Sequence, residues 1–197
     1  MRQCILGVAV CALPTVDAAG QRTDRVAPVD GAAQPMQLRD LSKSRGSFDG
    51  VMFGGADLRR ADFRGASLVE AGLEFVVLDG ADFGSADLSY ATVLPNSARD
   101  ANSTRATLAR VTGNGANFDG AILGVSRAQG ANFTGASFVG AYLADADLKG
   151  ASLAHANLTN ANLAGANVSD ASFVGAIWSN TICPDGTNSN ANPNCGL

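Results

Sequence analysis

The chain has 197 residues, 14 basic and 18 acidic side chains, one histidine and four cysteines, and only 16% of it is charged. A single histidine excludes a multi-histidine metal site, and a net charge of −4 excludes a generally basic nucleic-acid-binding surface. The length fits one domain with or without a tail. Small residues are unusually common, with 35 alanines beside 23 glycines.

Residues 1–18 read as an export signal. Arg2 supplies the positive charge, residues 4–13 the apolar stretch, and Pro14 breaks it. Val16 and Ala18 precede a cleavage point after Ala18 at the −3 and −1 positions. The apolar run is shorter than the ~20 residues that span a bilayer. No membrane anchor is expected, and Val10 before Cys11 argues against a lipid-anchored cysteine. With the leader removed, Cys183 and Cys195 remain, an even pair for a disulfide in an oxidising, extracytoplasmic compartment. Closing that loop contributes about 3 kcal/mol by chain entropy. If residues 1–18 are not a signal, the protein is cytoplasmic and the pair are free thiols. Residues 19–45 are polar and carry Pro28 and Pro35. They predict a flexible linker ending in a short cap around 36–41.

From Gly46 the chain repeats every five residues without a slip. Unit centres fall on numbers ending in 3 or 8, giving 27 centres from Phe48 to Trp178. Large apolar side chains hold 23 of them, the exceptions being Ala98, Ser103, Gly113 and Ala128. Two residues before the centre, 21 of the 27 positions are alanine. The residue between is usually Asp, Asn or Ser, as in Ala56–Asp57–Leu58 and Ala161–Asn162–Leu163. A helix repeats at 3.6 and a strand at 2, so neither keeps such a pattern on one face. Fixed self-similarity signals a solenoid whose units bury a core only by stacking. The centre and the alanine two before it face inward; the other three residues turn outward, with glycine at the corners. Burying large side chains at about 2 kcal/mol each makes a core of domain size.

These A(D/N)LXX units resemble the pentapeptide-repeat family over about 133 of the 197 residues. The resemblance implies an all-β fold, a right-handed quadrilateral parallel β-helix with four units to a coil and about seven coils. At ~4.8 Å per coil the rod is roughly 33 Å long. Residues twenty apart then stack. Leu58, Leu78, Ala98, Phe118, Phe138, Leu158 and Trp178 line one interior column, and Phe63, Phe83, Ser103, Leu123, Leu143 and Leu163 another. The expected organisation is a leader (1–18), a linker with cap (19–45), the β-helix (46–178) and a C-terminal cap (179–197).

The stretch 94–115 breaks the pattern most. Three of its centres are small, and Pro95 cannot donate to a ladder. It predicts a distorted coil or a bulged loop within 94–105, with simple repeat decay as the alternative. In the family's gyrase-binding members, a loop ejected from the coil matters for function. A solenoid needs both ends covered. Trp178 is large enough to plug the last coil, and the Cys183–Cys195 bridge is expected to pin the tail beyond it. That tail resembles those of exported bacterial repeat proteins. It is unlike the apolar C-terminal helix through which gyrase-binding members dimerise.

The surface offers little chemistry. His155 falls on an outward corner without a histidine or cysteine in register. Asp62 and Asp82 stack in one outward column, and Asp87 lies between Ser67 and Thr107 in another. Two carboxylates fall short of the six to eight oxygens that Ca²⁺ prefers. The Asn-x-Ser/Thr sequons at Asn102, Asn132, Asn157 and Asn167 follow from the repeat itself. No phosphate loop, nucleophile elbow or zinc signature is present, so no catalytic residue, metal or cofactor is expected.

The outward apolar residues Phe75, Val77, Ile122, Tyr142, Val174 and Ile177 form the candidate interaction surface. The favoured reading is a non-enzymatic exported scaffold or protein-binding module, docking a protein partner or a second copy, without nucleic acid. The alternative, implied by the resemblance, is a cytoplasmic DNA mimic that binds gyrase and protects it from quinolones. Charge disfavours it. Residues 46–178 hold 13 acids and 8 bases, whereas a duplex of that length bears roughly 19 negative charges.

Overall fold

The computed structural model describes the backbone of residues 12–16 and 22–26, and residues 46–94 and 97–197 in full. β1 (Ala12–Val16) and β2 (Arg22–Val26) pair antiparallel, Ala12 opposite Val26 and Val16 opposite Arg22. β2 falls inside 19–45, where the sequence predicts only a linker; Thr23 and Val26 are β-branched residues that favour extended chain. The leader cleavage point and the cap at 36–41 lie outside the described residues.

Among the described residues, the units from Gly46 to Ala176 follow one plan. In the first, Ser47 pairs in parallel with Ser67, twenty residues on. Phe48 turns inward and is buried. Its carbonyl accepts the Val51 N–H at 3.0 Å, closing a β-turn, with Gly50 at φ 67°. A single positive φ at the third position of such a turn is the type II form. Each turn swings the chain onto the next side. Every described corner from Gly50 to Asn180 has positive φ, whether or not it is glycine.

The bridges Ser47–Ser67, Met52–Gly72, Asp57–Val77 and Asp62–Asp82 begin four ladders that advance by twenties, which fixes four units per coil. We number the sides one to four in that order. Each unit is tied to the next coil by backbone bonds such as Leu143 N–H to the Asn162 carbonyl at 2.7 Å, Asp145 N–H to Ala164 at 2.9 Å and Asn162 N–H to Ala141 at 2.9 Å. Inside, the expected columns form. Phe63 stacks on Phe83 and Phe118 on Phe138, each pair with ring centroids 5.1 Å apart.

The preference for Asp or Asn before the centre has a direct cause. The side-chain oxygen accepts the backbone N–H two residues on, as Asp62 does from Arg64 at 3.1 Å and Asn162 from Ala164 at 3.0 Å. This Asx turn fixes the start of the corner. In all four sequons the Asn oxygen also accepts the hydroxyl two residues on, from Thr104, Thr134, Thr159 or Ser169.

Two expectations are corrected. No loop leaves the coil among the described residues of 94–115: Ser97 pairs with Val77 and Asn117, Asn102 with Asp82 and Ile122, and Thr112 with Thr92 and Asn132. Residues 95–96 lie outside the described residues. At its smallest centre a neighbouring coil supplies the missing volume. A Cβ on Gly113 would sit 2.9 Å from the Phe133 ring and 3.6 Å from that of Phe118. The β-helix also runs one unit beyond Trp178. Thr181 takes the inner position, Ile182 pairs in parallel with Asn162, and Cys183 occupies a centre, fully buried. Trp178 is therefore no plug; it lies partly exposed beside Phe173, centroids 5.1 Å apart.

Candidate interaction surface

The predicted surface residues do not gather on one face. Phe75 is a corner of side two and 70% exposed, while Val77 is a half-buried bridge residue of side three. Val174 and Ile177 belong to the last coil, on sides two and three. Ile122 and Tyr142 do meet. They are direct bridge partners on side four, 44% and 47% exposed, and side chains on successive coils stand about 4.8 Å apart.

What surrounds them makes the patch flat. The first-turn positions beside it are Gly124, Ala144 and Ala164, so little rises above the Tyr142 ring. The ring lies over Gly124: a Cβ there would come within 2.9 Å of Tyr142 Cε1. Any side chain at 124 would displace the tyrosine. Its phenol oxygen has no partner among the described residues. Val125, 52% exposed, completes the patch from the corner, where it holds φ at 58°. A β-branched residue in that region is strained. The sequence reading omits Val125; its signal is that it is the only β-branched residue among the described corners.

Further down side four, the same column turns ionic. Arg64 donates to both carboxylate oxygens of Asp62, at 2.9 and 2.6 Å, and its Nε lies 3.7 Å from Asp82. The hydrogen bonds from Arg64 hold the Asp62 carboxyl below its ordinary pKa. On side three, the Arg59 guanidinium does the same for Asp57. Arg64 thus occupies the space between the stacked carboxylates of Asp62 and Asp82. Among the described residues no three His, Cys, Asp or Glu side chains gather to hold a metal ion. His155 lies exposed with its ring against the Gly175 corner, where a Cβ would meet Nδ1 at 2.5 Å. Asp87 accepts both the amide and the hydroxyl of Ser89.

Cys183 and Cys195 are joined, with Cα atoms 5.3 Å apart. The loop between them folds back on side four, where Ile182 pairs antiparallel with Asn188 and Thr181 Oγ1 donates to the Leu158 carbonyl at 2.7 Å. Both cysteines are buried.

A family model for pentapeptide repeats matches eight copies, over residues 47–73, 114–150 and 141–180. It passes over 74–113, although the described ladder there keeps its register. No curated protein matches the chain. Among solved structures, HetL is a pentapeptide repeat protein involved in heterocyst differentiation regulation from the cyanobacterium Nostoc sp. strain PCC 7120. It is 30% identical, with 73% of each chain covered and a TM-score of 0.29. A pentapeptide repeat protein of the Arabidopsis thaliana thylakoid lumen is 23% identical over 65% of this chain and 68% of that one, TM-score 0.27. Full-length QnrB1, a plasmid-mediated fluoroquinolone resistance protein, is 15% identical over 66% and 82%, TM-score 0.41. With its five-residue period, its twenty-residue ladder, the repeat model's match and a relative 30% identical over 73% of each chain, the chain belongs to the pentapeptide-repeat family and folds as a right-handed quadrilateral β-helix.

Proposed function

We propose that the protein is a non-catalytic, exported rod that docks a protein partner on side four. The observation that carries this is the Ile122–Val125–Tyr142 patch, a flat apolar surface with an aromatic ring, bordered in its column by Asn102 and Asn162. Tyrosine on a rigid, flat support is a favoured interface anchor, since little side-chain freedom is lost on binding. The disulfide and the leader-like residues 1–18 support the oxidising compartment.

The test is capture of extracytoplasmic proteins on immobilised wild-type protein and on Tyr142→Asp, read by mass spectrometry. A protein retained by the first and lost by the second is expected; identical profiles overturn the docking face. Sequencing the mature protein from culture supernatant tests export. A start at Ala19 is expected, and recovery from cytosol with Met1 intact overturns it. The gyrase reading needs an acidic stripe, and the arginine partners of Asp57, Asp62 and Asp79 work against one. Inhibition of gyrase supercoiling by the purified protein would reverse this ranking.

A further inference from the structure

Along the rod each coil hands its backbone groups to the next. Leu153 N–H donates to the Ser172 carbonyl at 2.7 Å, His155 N–H to Val174 at 2.8 Å, and the Ala151 carbonyl accepts the Ser172 N–H at 2.9 Å. One coil on, the same groups are left over. The N–H groups of Val168, Asp170, Phe173, Gly175 and Trp178, and the carbonyls of Ala171 and Ala176, have no hydrogen-bond partner among the described residues. Side four differs, since Leu163 and Gly165 donate to Ile182 and Pro184 of the disulfide-closed tail.

The core beneath this open end is unfinished as well. Leu148, Leu153 and Leu158 are sealed, yet Val168, Phe173 and Trp178 are only partly buried. They line a recess of about 590 Å³, which Asn194 and Leu197 of the tail also border. Its other lining residues all fall between 168 and 178, so it takes the place of a further coil. The Phe173 and Trp178 rings stand there 5.1 Å apart and tilted by 48°. No charged side chain lines it among the described residues; Asp170 lies outside the lining, and the His155 ring sits against its Gly175 edge.

Pockets for small molecules commonly run from about 300 to 1,000 Å³, and this recess falls within that range. Its aromatic wall suits a flat ring, packed offset or edge-on. Its unpaired backbone groups are richer in donors than in acceptors, so the polar end of the occupant is an acceptor. An apolar molecule would cover those N–H groups and leave them unpaired, which is unfavourable. A peptide strand is a poorer occupant, because the edge turns a corner after every fifth residue and offers it one unit of ladder. We propose that the recess binds a small planar aromatic carboxylate. The ring packs on Phe173 and Trp178, and the carboxylate accepts the Phe173 and Gly175 N–H groups. This site is separate from the patch on side four, so either proposal can fail alone.

The test is a titration of the isotope-labelled full chain with cinnamate, followed through amide chemical shifts. Saturable shifts centred on the Phe173 and Gly175 amides and the Trp178 indole are expected, with a Kd of about 1 mM for a ligand of this size. β-Methylstyrene, which has a methyl in place of the carboxylate, is expected to bind about tenfold more weakly. Trp178→Leu installs the residue that the coil below carries at Leu158. It is expected to keep the wild-type circular dichroism spectrum and to weaken cinnamate about fivefold. Absence of saturable shifts overturns the proposal, as do shifts centred on Ile122 and Tyr142 instead. So does equal affinity for β-methylstyrene, or unchanged affinity in Trp178→Leu. Protection of the Phe173 and Gly175 amides from exchange before any ligand is added also overturns it, because another chain then covers the end.

Discussion

Two stretches of seven units, with centres 98–128 and 133–163, share one backbone and differ in what fills it. The first holds all four small centres, whereas every centre of the second is Phe or Leu. Their ladders are alike: Ser103 N–H reaches Ile122 at 2.6 Å, and Leu143 N–H reaches Asn162 at 2.7 Å. Outward stitches recur too. Asp79 accepts the Ser97 hydroxyl and the Arg99 amide, and Asp119 accepts the Ser137 hydroxyl and the Val139 amide. Coil dimensions are therefore set by turns, Asx bonds and ladders. At Gly113 the space left by the small centre is taken by the Phe133 ring of the next coil, so volume is traded between coils there. The first stretch also holds the two buried polar side-chain atoms without a partner among the described residues, Asn114 Oδ1 and Ser126 Oγ.

The largest expected effect comes from the well-filled stretch. Phe138 is fully buried, stacked on Phe118 and edge-on to Phe133 at 5.3 Å. Phe138→Ala is expected to lose about 3–5 kcal/mol in a denaturant titration. A similar loss on Ser103→Ala would erase the difference between the stretches.

Next is Gly113→Ala, which adds a methyl where the centre is smallest. Because Phe133 already occupies that space, the change is expected to cost about 1–3 kcal/mol rather than stabilise. Adding Phe133→Leu should recover part of the loss. Strictly additive effects in this double-mutant cycle would show that the coils do not trade volume.

Corners give the third contrast. In the second stretch they are Gly, Asp, His and Asn, residues found more readily at positive φ. The first stretch includes Val125 at φ 58°. Val125→Gly is expected to relieve about 1 kcal/mol of left-handed strain, raising Tm by about 2–4 °C. The same change should weaken partner capture on side four. A lowered Tm would show that the corner is unstrained.

The smallest effect is electrostatic. Burial raises the Asp79 pKa, but bonds from Ser97, the Arg99 amide and its guanidinium outweigh it and leave the carboxyl below 3.8. A folded value below the unfolded one gives stability that is present above 3.8 and lost as pH falls through the lowered value. Asp79→Asn should therefore flatten the acid limb of a stability–pH curve. An unchanged limb would mean that this stitch contributes nothing.

Much of the fold is legible in the residue numbers alone, because a period of five assigns each side chain to the inside, a side or a corner. The interior columns and the meeting of Ile122 with Tyr142 follow from adding twenty. Failures came where one unit was judged by itself. The small centres at 98, 103 and 113 suggested a bulge; at 113 the Phe133 ring of the next coil takes up the space. The unit at 181–183 was missed because Thr and Cys replace the usual Ala and Leu while the backbone keeps the trace. Val125 stands out only once its corner is known to require positive φ. The open last coil was missed because Trp178 looked large enough to close it, and size says nothing about where a tail lies.

The twenty-residue ladder has a consequence for insertions and deletions. Removing twenty residues shortens the rod by one coil and leaves every side facing as before. Removing five keeps each side chain inside or outside but turns everything downstream by a quarter. The Ile122–Tyr142 patch would then leave the Asp62–Arg64 column and face a different direction. Length in this architecture is counted in coils and bearing in single units, so the two can change independently.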